Sequence, residues 1–365
     1  MQDLVFFLIS FILVVCLTPL IRRLALRFKI IDWPALGGRK IHKKPVPLLG
    51  GLAIFISFIV VLFVAYNSGF WPEGLVRAKN LIGIGLAGSL LMLGGFLDDK
   101  YHLKPYQQII WPILASLVII ASGIGINYIN NPFGAGFLHL DKYKFEIIRL
   151  GGIPYYFTPL ADIFTFVWLM TLMYATKLLD GLDGLVSGLT TIGALIIASF
   201  CFLTRFYQPD VGSLAMILAG ATSGFLIFNF HPAKIFLGEG GSIFLGFILG
   251  VLAIISGSKI ATTLLIVGIA ILDIFWIIWR RFSLGRSPLR ADREHLHFKL
   301  LETGFSYQGA VIFYWILGLV FGSIVFVFET KGKVIALVVL VILAGLIIRL
   351  ISKKATLTEP KKVVK

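Results

Sequence analysis

The feature that most constrains this chain is a recurrence of apolar stretches, each about 16–21 residues long and nearly free of charge, close to the length a helix needs to cross a bilayer. They fall near 3–21, 50–66, 81–97, 107–125, 159–176, 185–204, 211–228, 243–257, 260–279, 309–328 and 334–350. A backbone in hydrocarbon must satisfy its own polar groups, so such runs become helices. The expectation is an all-α polytopic membrane protein of about 11 transmembrane helices, with boundaries good to a few residues. The run at 243–257 is short, and a merge or half-helix there changes the count.

Composition agrees. Of 365 residues, 58% are hydrophobic and 14% charged, and the mean hydropathy is +0.95. A soluble domain has about 45–50% apolar and about 25% charged residues, which excludes a soluble globular, disordered or collagen-like chain. The net charge is +15, from 33 Lys and Arg against 18 Asp and Glu. In a soluble protein that balance points to nucleic acid; here it points to basic loops held at the cytoplasmic face, with no nucleic-acid partner. Cys16 and Cys201 both lie in apolar stretches and imply no disulfide framework.

No basic residue precedes the first run, and Arg22, Arg23, Arg27 and Lys29 follow it. This is the reverse of a signal peptide, so the run reads as an uncleaved helix with its N-terminus outside. Alternating from there sends 24 of the 33 lysines and arginines to the inside segments and the C-terminus to the cytoplasm. Residues 1–352 form one transmembrane domain, and 353–365 form a basic tail suited to anionic lipid. The longest outside loop, 126–158, carries turn signals and, between Lys142 and Arg149, enough alternation for a small hairpin. No internal repeat supports an inverted-repeat transporter.

The polar residues cluster. Asp98-Asp99 ends the third run, Asp180 and Asp183 stand in LLDGLDGL, Asn229 and Glu239 in NFHPAKIFLGEGGS, His295 and His297 in ADREHLHFKL, and Lys43 in a basic run before PVPLLGG. The parity of the spans sends all five regions to one face. Each has a plain reading when taken alone: a solvated acidic pair, a glycine-rich turn, a helix cap, a loop histidine, a sorting signal. Adjacent carboxylates, however, repel unless a cation or proton is shared. Mg²⁺ takes carboxylate oxygens and bridges to substrate phosphates. On a helix Asp180 and Asp183 would share a face. Ser242 is a candidate N-cap after the glycine-rich turn, where free N–H groups attract phosphate. Histidines in the basic loop around Arg293 suit a phosphate or sugar; zinc would lack a cysteine partner. Together these point to phosphoryl transfer between a nucleotide and a lipid, which is largely positioning and charge neutralisation.

The set RKIHKKPVPLLGG, GGFLDDK, LLDGLDGL, NFHPAKIFLGEGGS and ADREHLHFKL resembles the polyprenyl-phosphate N-acetylhexosamine-1-phosphate transferases, which include the phospho-N-acetylmuramoyl-pentapeptide transferases. The motifs run in the family's order from about residue 39 to 300, and their combination is specific although no single piece is. The resemblance implies that undecaprenyl phosphate attacks the β-phosphate of a UDP-N-acetylhexosamine in the plasma or inner membrane, at its cytoplasmic face, and that UMP leaves. It implies Mg²⁺ as cofactor, with Mn²⁺ as a substitute, held by Asp99, Asp180 and Glu239. It makes Asp98, Asp99, Asp180, Asp183, His295 and His297 the catalytic set, and Lys43, Lys177, Asn229 and Arg293 contacts to substrate. A homodimer is compatible with it.

Two positions depart from the family pattern. Lys177 stands where the family usually has Asn, and Glu239 where it has a metal-binding Asp. A protonated Lys cannot ligate Mg²⁺, and Glu is one methylene longer. The expectation is compensation, with Lys177 neutralising diphosphate charge while Glu239 still reaches the metal; the rival is a site that has lost activity. The run HLHF, in place of three consecutive histidines, resembles the branch that uses UDP-GlcNAc to start teichoic acid, O-antigen or capsule assembly; the muramoyl-pentapeptide branch is the alternative. From the residues alone, an ion-coupled transporter would place its ionisable groups mid-span, and only Asp162 and Asp273 come near that. A non-catalytic scaffold would leave the converging carboxylates unexplained.

Overall fold

The computed structural model describes residues 2–34, 44–69, 71–72, 74–131, 136–150, 153–204, 207–257, 260–283, 285, 295–328 and 330–358. Lys43 and Arg293 lie outside them, as does 359–365 of the tail. In order the elements are α1 (Gln2–Arg27), β1 (Ile31–Asp32), β2 (Val46–Pro47), α2 (Gly50–Asn67), α3 (Ala78–Tyr101), α4 (Pro105–Gln108) and α5 (Ile110–Ala121). The strands β3 (Tyr128–Asn130), β4 (Phe137–His139), β5 (Phe145–Leu150) and β6 (Ile153–Phe157) follow. Next come α6 (Pro159–Leu179), α7 (Leu185–Leu203), α8 (Pro209–Asn229), α9 (Gly238–Ile255), α10 (Ile260–Ser283), α11 (Leu296–Glu302), α12 (Tyr307–Ser323) and α13 (Thr330–Thr358).

The protein is a multi-pass helical bundle. Among the described residues eight helices are long and apolar enough to span a membrane, or nine if α10, bent by 70° between Ile260–Gly268 and Ile271–Ser283, is one span. The expected count of eleven is therefore not reached by these measures. The run at 107–125 folds into a 12-residue α5 after the short α4, and the run at 334–350 lies within α13. The short run at 243–257 belongs to a full 18-residue helix, because α9 starts in the glycines before it.

α9 is apolar around its whole circumference, and such a helix belongs in the interior. It packs against α2, α3, α6, α7 and α10. Lipid tails are as apolar as leucine, so helix association here depends on close backbone approach at small residues. Glycine supplies it. A Cβ on Gly241 would stand 2.7 Å from Gly51 Cα on α2, and one on Gly246 would run into α6 at Leu172 and Thr176. Gly220 and Gly224 let α8 approach the α1 backbone at Phe7 and Phe11 in the same way.

The loop between α5 and α6 carries more structure than the single hairpin expected at 142–149. β3 pairs with β4 and β5 with β6, both antiparallel, and the second pair flanks Gly151-Gly152. The second strand of that pair, Ile153–Phe157, lies beyond the stretch where the hairpin was expected. Asp162 accepts bonds from Thr158 N and Oγ1 at 2.8 Å each, so it fastens the start of α6.

Candidate active site

The residues that matter sit where helices end. The C-terminal ends of α3, α6 and α8 and the N-terminal ends of α7, α9 and α12 meet around a cavity of about 450 Å³. Asp98 and Asp99 reach it from α3, Asp180 and Asp183 from the α6–α7 turn, and Glu239 from the first turn of α9. Carboxylates from three separate sequence motifs therefore share one wall. Asp32 adds a sixth, and against these six stands, among the described residues, one lysine ammonium, that of Lys177.

Local structure explains each placement. Asp180 is the C-cap of α6, and residues 180–184 form a turn in place of the helical face expected for Asp180 and Asp183. Gly184 has φ 80°, a left-handed conformation that favours glycine, and it opens α7. Asn229, 3% exposed, fixes this turn: its Oδ1 accepts from Gly184 N (3.1 Å) and Ser187 Oγ (2.8 Å), and its Nδ2 donates to Ile235 O (3.1 Å). Although Asn229 lines the cavity, its bonds here are to the protein. Gly238 has φ 74°, and a Cβ there would clash with the Asp99 carboxylate.

The two adjacent aspartates avoid each other by facing different partners. Asp98 Oδ1 accepts from Leu103 N (2.8 Å) and Gln108 Nε2 (3.0 Å), holding the chain that leaves α3. Asp99 accepts the Glu239 N–H, 3.0 Å to Oδ1 and 3.3 Å to Oδ2. That amide, in the glycine-rich turn, is taken by Asp99. Ser242 is also not the cap expected from the sequence. It lies in the second turn of α9, where its Oγ bonds to Gly238 O (3.3 Å) and Glu239 O (3.1 Å). The glycines around it serve close helix packing. The PVPLLGG turn is locked to this one: Gly50 N and Gly51 N donate to the Phe236 and Leu237 carbonyls, at 2.9 and 2.8 Å.

Asp183 is fully engaged. Its Oδ2 pairs with His231 Nδ1 (2.8 Å) and accepts from Ala233 N (3.0 Å), while Oδ1 accepts from Tyr307 OH (3.0 Å). His231 and Tyr307 stack, with centroids 4.0 Å apart. Asp180 contrasts with this: among the described residues no donor reaches its carboxylate. Its side chain opens onto the cavity, so water touches it, yet protein surrounds it closely. Burial, and then the charges of Glu239 and Asp183, raise its pKa to about 8.

His295 and His297 stand behind the wall, which at this point is Phe298. His295 Nδ1 pairs with Asp273 Oδ2 (3.0 Å), and Asp273 Oδ1 accepts from Leu296 N (2.9 Å). Asp273, 3% exposed on α10, thus orients His295 and starts α11. His297 is 1% exposed, stacks on His295, and puts Nε2 where a side chain on Gly181 would be. Burial, and then the neighbouring His295, lower its pKa to about 3, so it is neutral at ordinary pH.

A second, apolar slot of about 200 Å³ runs between α2, α3 and α9, lined by Leu49, Leu52, Met92, Leu93, Phe96 and Leu237, and Asp99 closes its end. Asp99 therefore belongs to both spaces. Gln108, His231, Tyr307 and Asp32 were missed by sequence reasoning. His231 lies inside a quoted motif, but the other three carry no local signal: a polar residue near the end of a run reads as interfacial.

Does this donor set fit a hard divalent cation? Among the described residues no three His, Cys, Asp or Glu side chains stand close enough to cage one. Mg²⁺ bound with a phosphorylated substrate uses one or two carboxylates, phosphate oxygens and water, so a cage is not required. Six carboxylates in one wall would repel a diphosphate without added positive charge. The unpartnered carboxylate of Asp180, with Asp99 and Glu239 nearby, fits.

Residues 81–257 match the glycosyl transferase family 4 model. The chain is 30% identical over 344 residues to a probable undecaprenyl-phosphate N-acetylglucosaminyl 1-phosphate transferase of Bacillus subtilis (strain 168), covering 92% of this chain and 88% of that protein. It is 30% identical to a decaprenyl-phosphate N-acetylglucosaminephosphotransferase of Mycolicibacterium smegmatis, over 92% of this chain and 84% of that one. A phospho-N-acetylmuramoyl-pentapeptide-transferase of Desulforamulus reducens is 32% identical over 87% of this chain and 92% of its own.

Proposed function

This chain belongs to glycosyl transferase family 4, the polyprenyl-phosphate N-acetylhexosamine-1-phosphate transferases, and we propose that it moves GlcNAc-1-phosphate from UDP-GlcNAc to undecaprenyl phosphate. The observation that carries this reading is the single cavity in which carboxylates from three motifs gather at helix ends. A donor with a diphosphate and an acceptor with an apolar tail need such a polar chamber beside an apolar approach. Asp99 stands where the two spaces meet, which suits a phosphate delivered on a lipid.

In the transfer, an oxygen of the acceptor phosphate forms a bond to the β-phosphorus of the donor. The bond from that phosphorus to the oxygen bridging to the α-phosphate breaks, and UMP leaves with the electron pair. The product is a polyprenyl diphosphate sugar. A phosphomonoester has a second pKa of about 6, so the acceptor is largely dianionic at pH 7 and needs no general base. Asp98 and Asp99 then act by placement. Asp98 keeps the α3–α4 connection closed, and Asp99 holds the Glu239 amide in the first turn of α9, fixing Glu239 in the wall. Asp183 shapes the floor through His231 and Tyr307. Asp180, Asp99 and Glu239 would hold Mg²⁺, which neutralises diphosphate charge when bound. The Asp273–His295 pair and buried His297 support the Gly181 turn from behind.

The cavity lies at the end of the bundle opposite the two hairpins, since α6 runs its 21 residues between them. The distribution of lysine and arginine along the sequence supports a cytoplasmic position for that end. UDP-GlcNAc is favoured over UDP-MurNAc-pentapeptide by the HLHF run, and two of the N-acetylglucosamine relatives align to 92% of this chain against 87% for the muramoyl-pentapeptide relative.

The test is UMP release by purified protein. Release from UDP-GlcNAc that needs both undecaprenyl phosphate and Mg²⁺ is expected, with Mn²⁺ as a substitute. Inertness toward this donor, UDP-MurNAc-pentapeptide and other UDP-N-acetylhexosamines would overturn the reading.

A further inference from the structure

The wall between α3, α4, α6 and α9 carries a polar chain, and two of its members, Gln108 and Lys177, have no role in that transfer step. Gln108, the last residue of α4, donates from Nε2 to Asp98 Oδ1 (3.0 Å) and to the Leu103 carbonyl (2.9 Å). Those bonds fix the amide and turn Oε1 the other way, where it accepts from Lys177 Nζ at 2.9 Å. The same ammonium contacts the Glu239 carboxylate. The two departures noted in the sequence, Lys177 and Glu239, are thus in direct contact. They act as one unit, and Gln108 is its third member.

Lysine normally loses much rotamer freedom when it takes hold of a ligand. Here that ordering is already done, because two acceptors on the wall anchor the ammonium. An ammonium has three donors. One is used on Gln108, the charge pairs with Glu239 and lies 5.6 Å from the centroid of the Tyr174 ring, and Lys177 lines the cavity, which leaves a donor for a ligand oxygen. It is a fixed positive charge amid six carboxylates, in the chamber where a diphosphate must settle.

We propose that this anchored ammonium is a metal-independent docking point for the diphosphate of the nucleotide-sugar donor, and that Gln108 is the residue that positions it. The proposal rests on the transferase reading of the same cavity. It adds an order of events: the donor docks on Lys177 first, and the divalent cation joins a diphosphate already in place. A charge-assisted N–H···O bond to phosphate is the contact. No bond is made or broken in this step.

UDP is the probe, and its binding to the full-length protein in detergent is measured by equilibrium dialysis, first in EDTA and then in excess Mg²⁺. The expected result is UDP binding by the wild type in EDTA, weakened about tenfold or more by Lys177→Met and several-fold by Gln108→Leu. Lys177→Met leaves the Glu239 carboxylate unpaired, so the charge-balanced Lys177→Met/Glu239→Gln variant accompanies it. Loss of metal-free UDP binding by this variant, with wild-type circular dichroism and elution, supports the proposal. Gln108→Leu is also expected to raise KM for the nucleotide-sugar at limiting Mg²⁺ with kcat unchanged, which a loss of folded protein would not do. The proposal is overturned if Lys177→Met binds UDP in EDTA as tightly as the wild type. It is equally overturned if the wild type binds UDP only with Mg²⁺, an outcome that leaves the transferase reading standing. A wild type that binds no UDP under either condition sinks both.

Discussion

Asp180 is the carboxylate in the wall without a partner among the described residues, and the loss of its charge should be felt most directly. Asp180→Asn keeps the shape of the turn and removes a ligand for the cation, so transfer should fall about 10²-fold or more, as when a single electrostatic contact to a transition state is removed. The measurement is kcat at saturating substrates, and an unchanged kcat would remove Asp180 from the reaction. His297 poses a different question at the same scale. It is neutral in the fold because burial holds its pKa near 3, whereas an unfolded histidine titrates near 6.5. As pH falls below 6.5, the unfolded chain takes up a proton that the folded one refuses until about 3. Stability is therefore full above 6.5 and declines through that window, with a slope approaching about 1.4 kcal/mol per pH unit. His297→Phe should flatten this decline between pH 6.5 and 4.5 in thermal melts. A variant as acid-sensitive as the wild type would mean that His297 is not the group responsible.

At the scale of elements, the site depends on two kinds of joint. One is Asn229, which ties α8 to the start of α7 and to the strand of chain before α9. Asn229→Ala strands the Gly184 amide and the Ile235 carbonyl, a loss of about 1–3 kcal/mol for each buried group left unpaired. The thermal midpoint in detergent should drop accordingly; a midpoint equal to wild type would show the joint to be dispensable. The other joint is glycine on glycine, where Gly241 meets Gly51 and Gly240 meets Gly95. Gly95→Val would push α3 off α9, and overpacking of this sort costs about 1–3 kcal/mol. Because Asp99 sits on the next turn of α3, its hold on the Glu239 amide should loosen too, and activity should fall further than stability alone explains. Apolar run length made these helices legible from the sequence. It could not show that the glycines in the first turn of α9 serve contact between helices in place of phosphate binding, because that depends on which helix lies opposite.

For the molecule as a whole, the cavity and the hairpins occupy opposite ends of the bundle, and the proposal that the cavity end faces the cytoplasm can be tested directly. Tyr143, 59% exposed near the hairpins, and Tyr106, 63% exposed near the cavity end, are suitable reporters. In a background with Cys16 and Cys201 replaced by alanine, Tyr143→Cys should react with a membrane-impermeant maleimide on intact cells. Tyr106→Cys should react only after the membrane is opened. The opposite pattern would invert the topology and put the transfer chemistry outside.

Local signals of the chain determined a good deal by themselves. Apolar run length fixed nearly all of the helices, since a backbone in hydrocarbon has no alternative partner. The polar motifs between runs named the carboxylates, because charge at a membrane edge needs a reason. Only the tertiary structure decided how these groups pair. Asp98 and Asp99, identical neighbours in sequence, went to different partners; Ser242 turned out to lie within its helix; His297 moved behind the wall. Lys177 and Glu239, expected to compensate for one another at the diphosphate and the metal, are in direct contact, and the same ammonium is held by Gln108, a glutamine that sequence alone would never single out. Hydropathy and motif spacing are properties of a local window. Which side chains meet depends on how closely helices from distant windows approach and how their ends are rotated, and in this bundle glycine contacts set that approach.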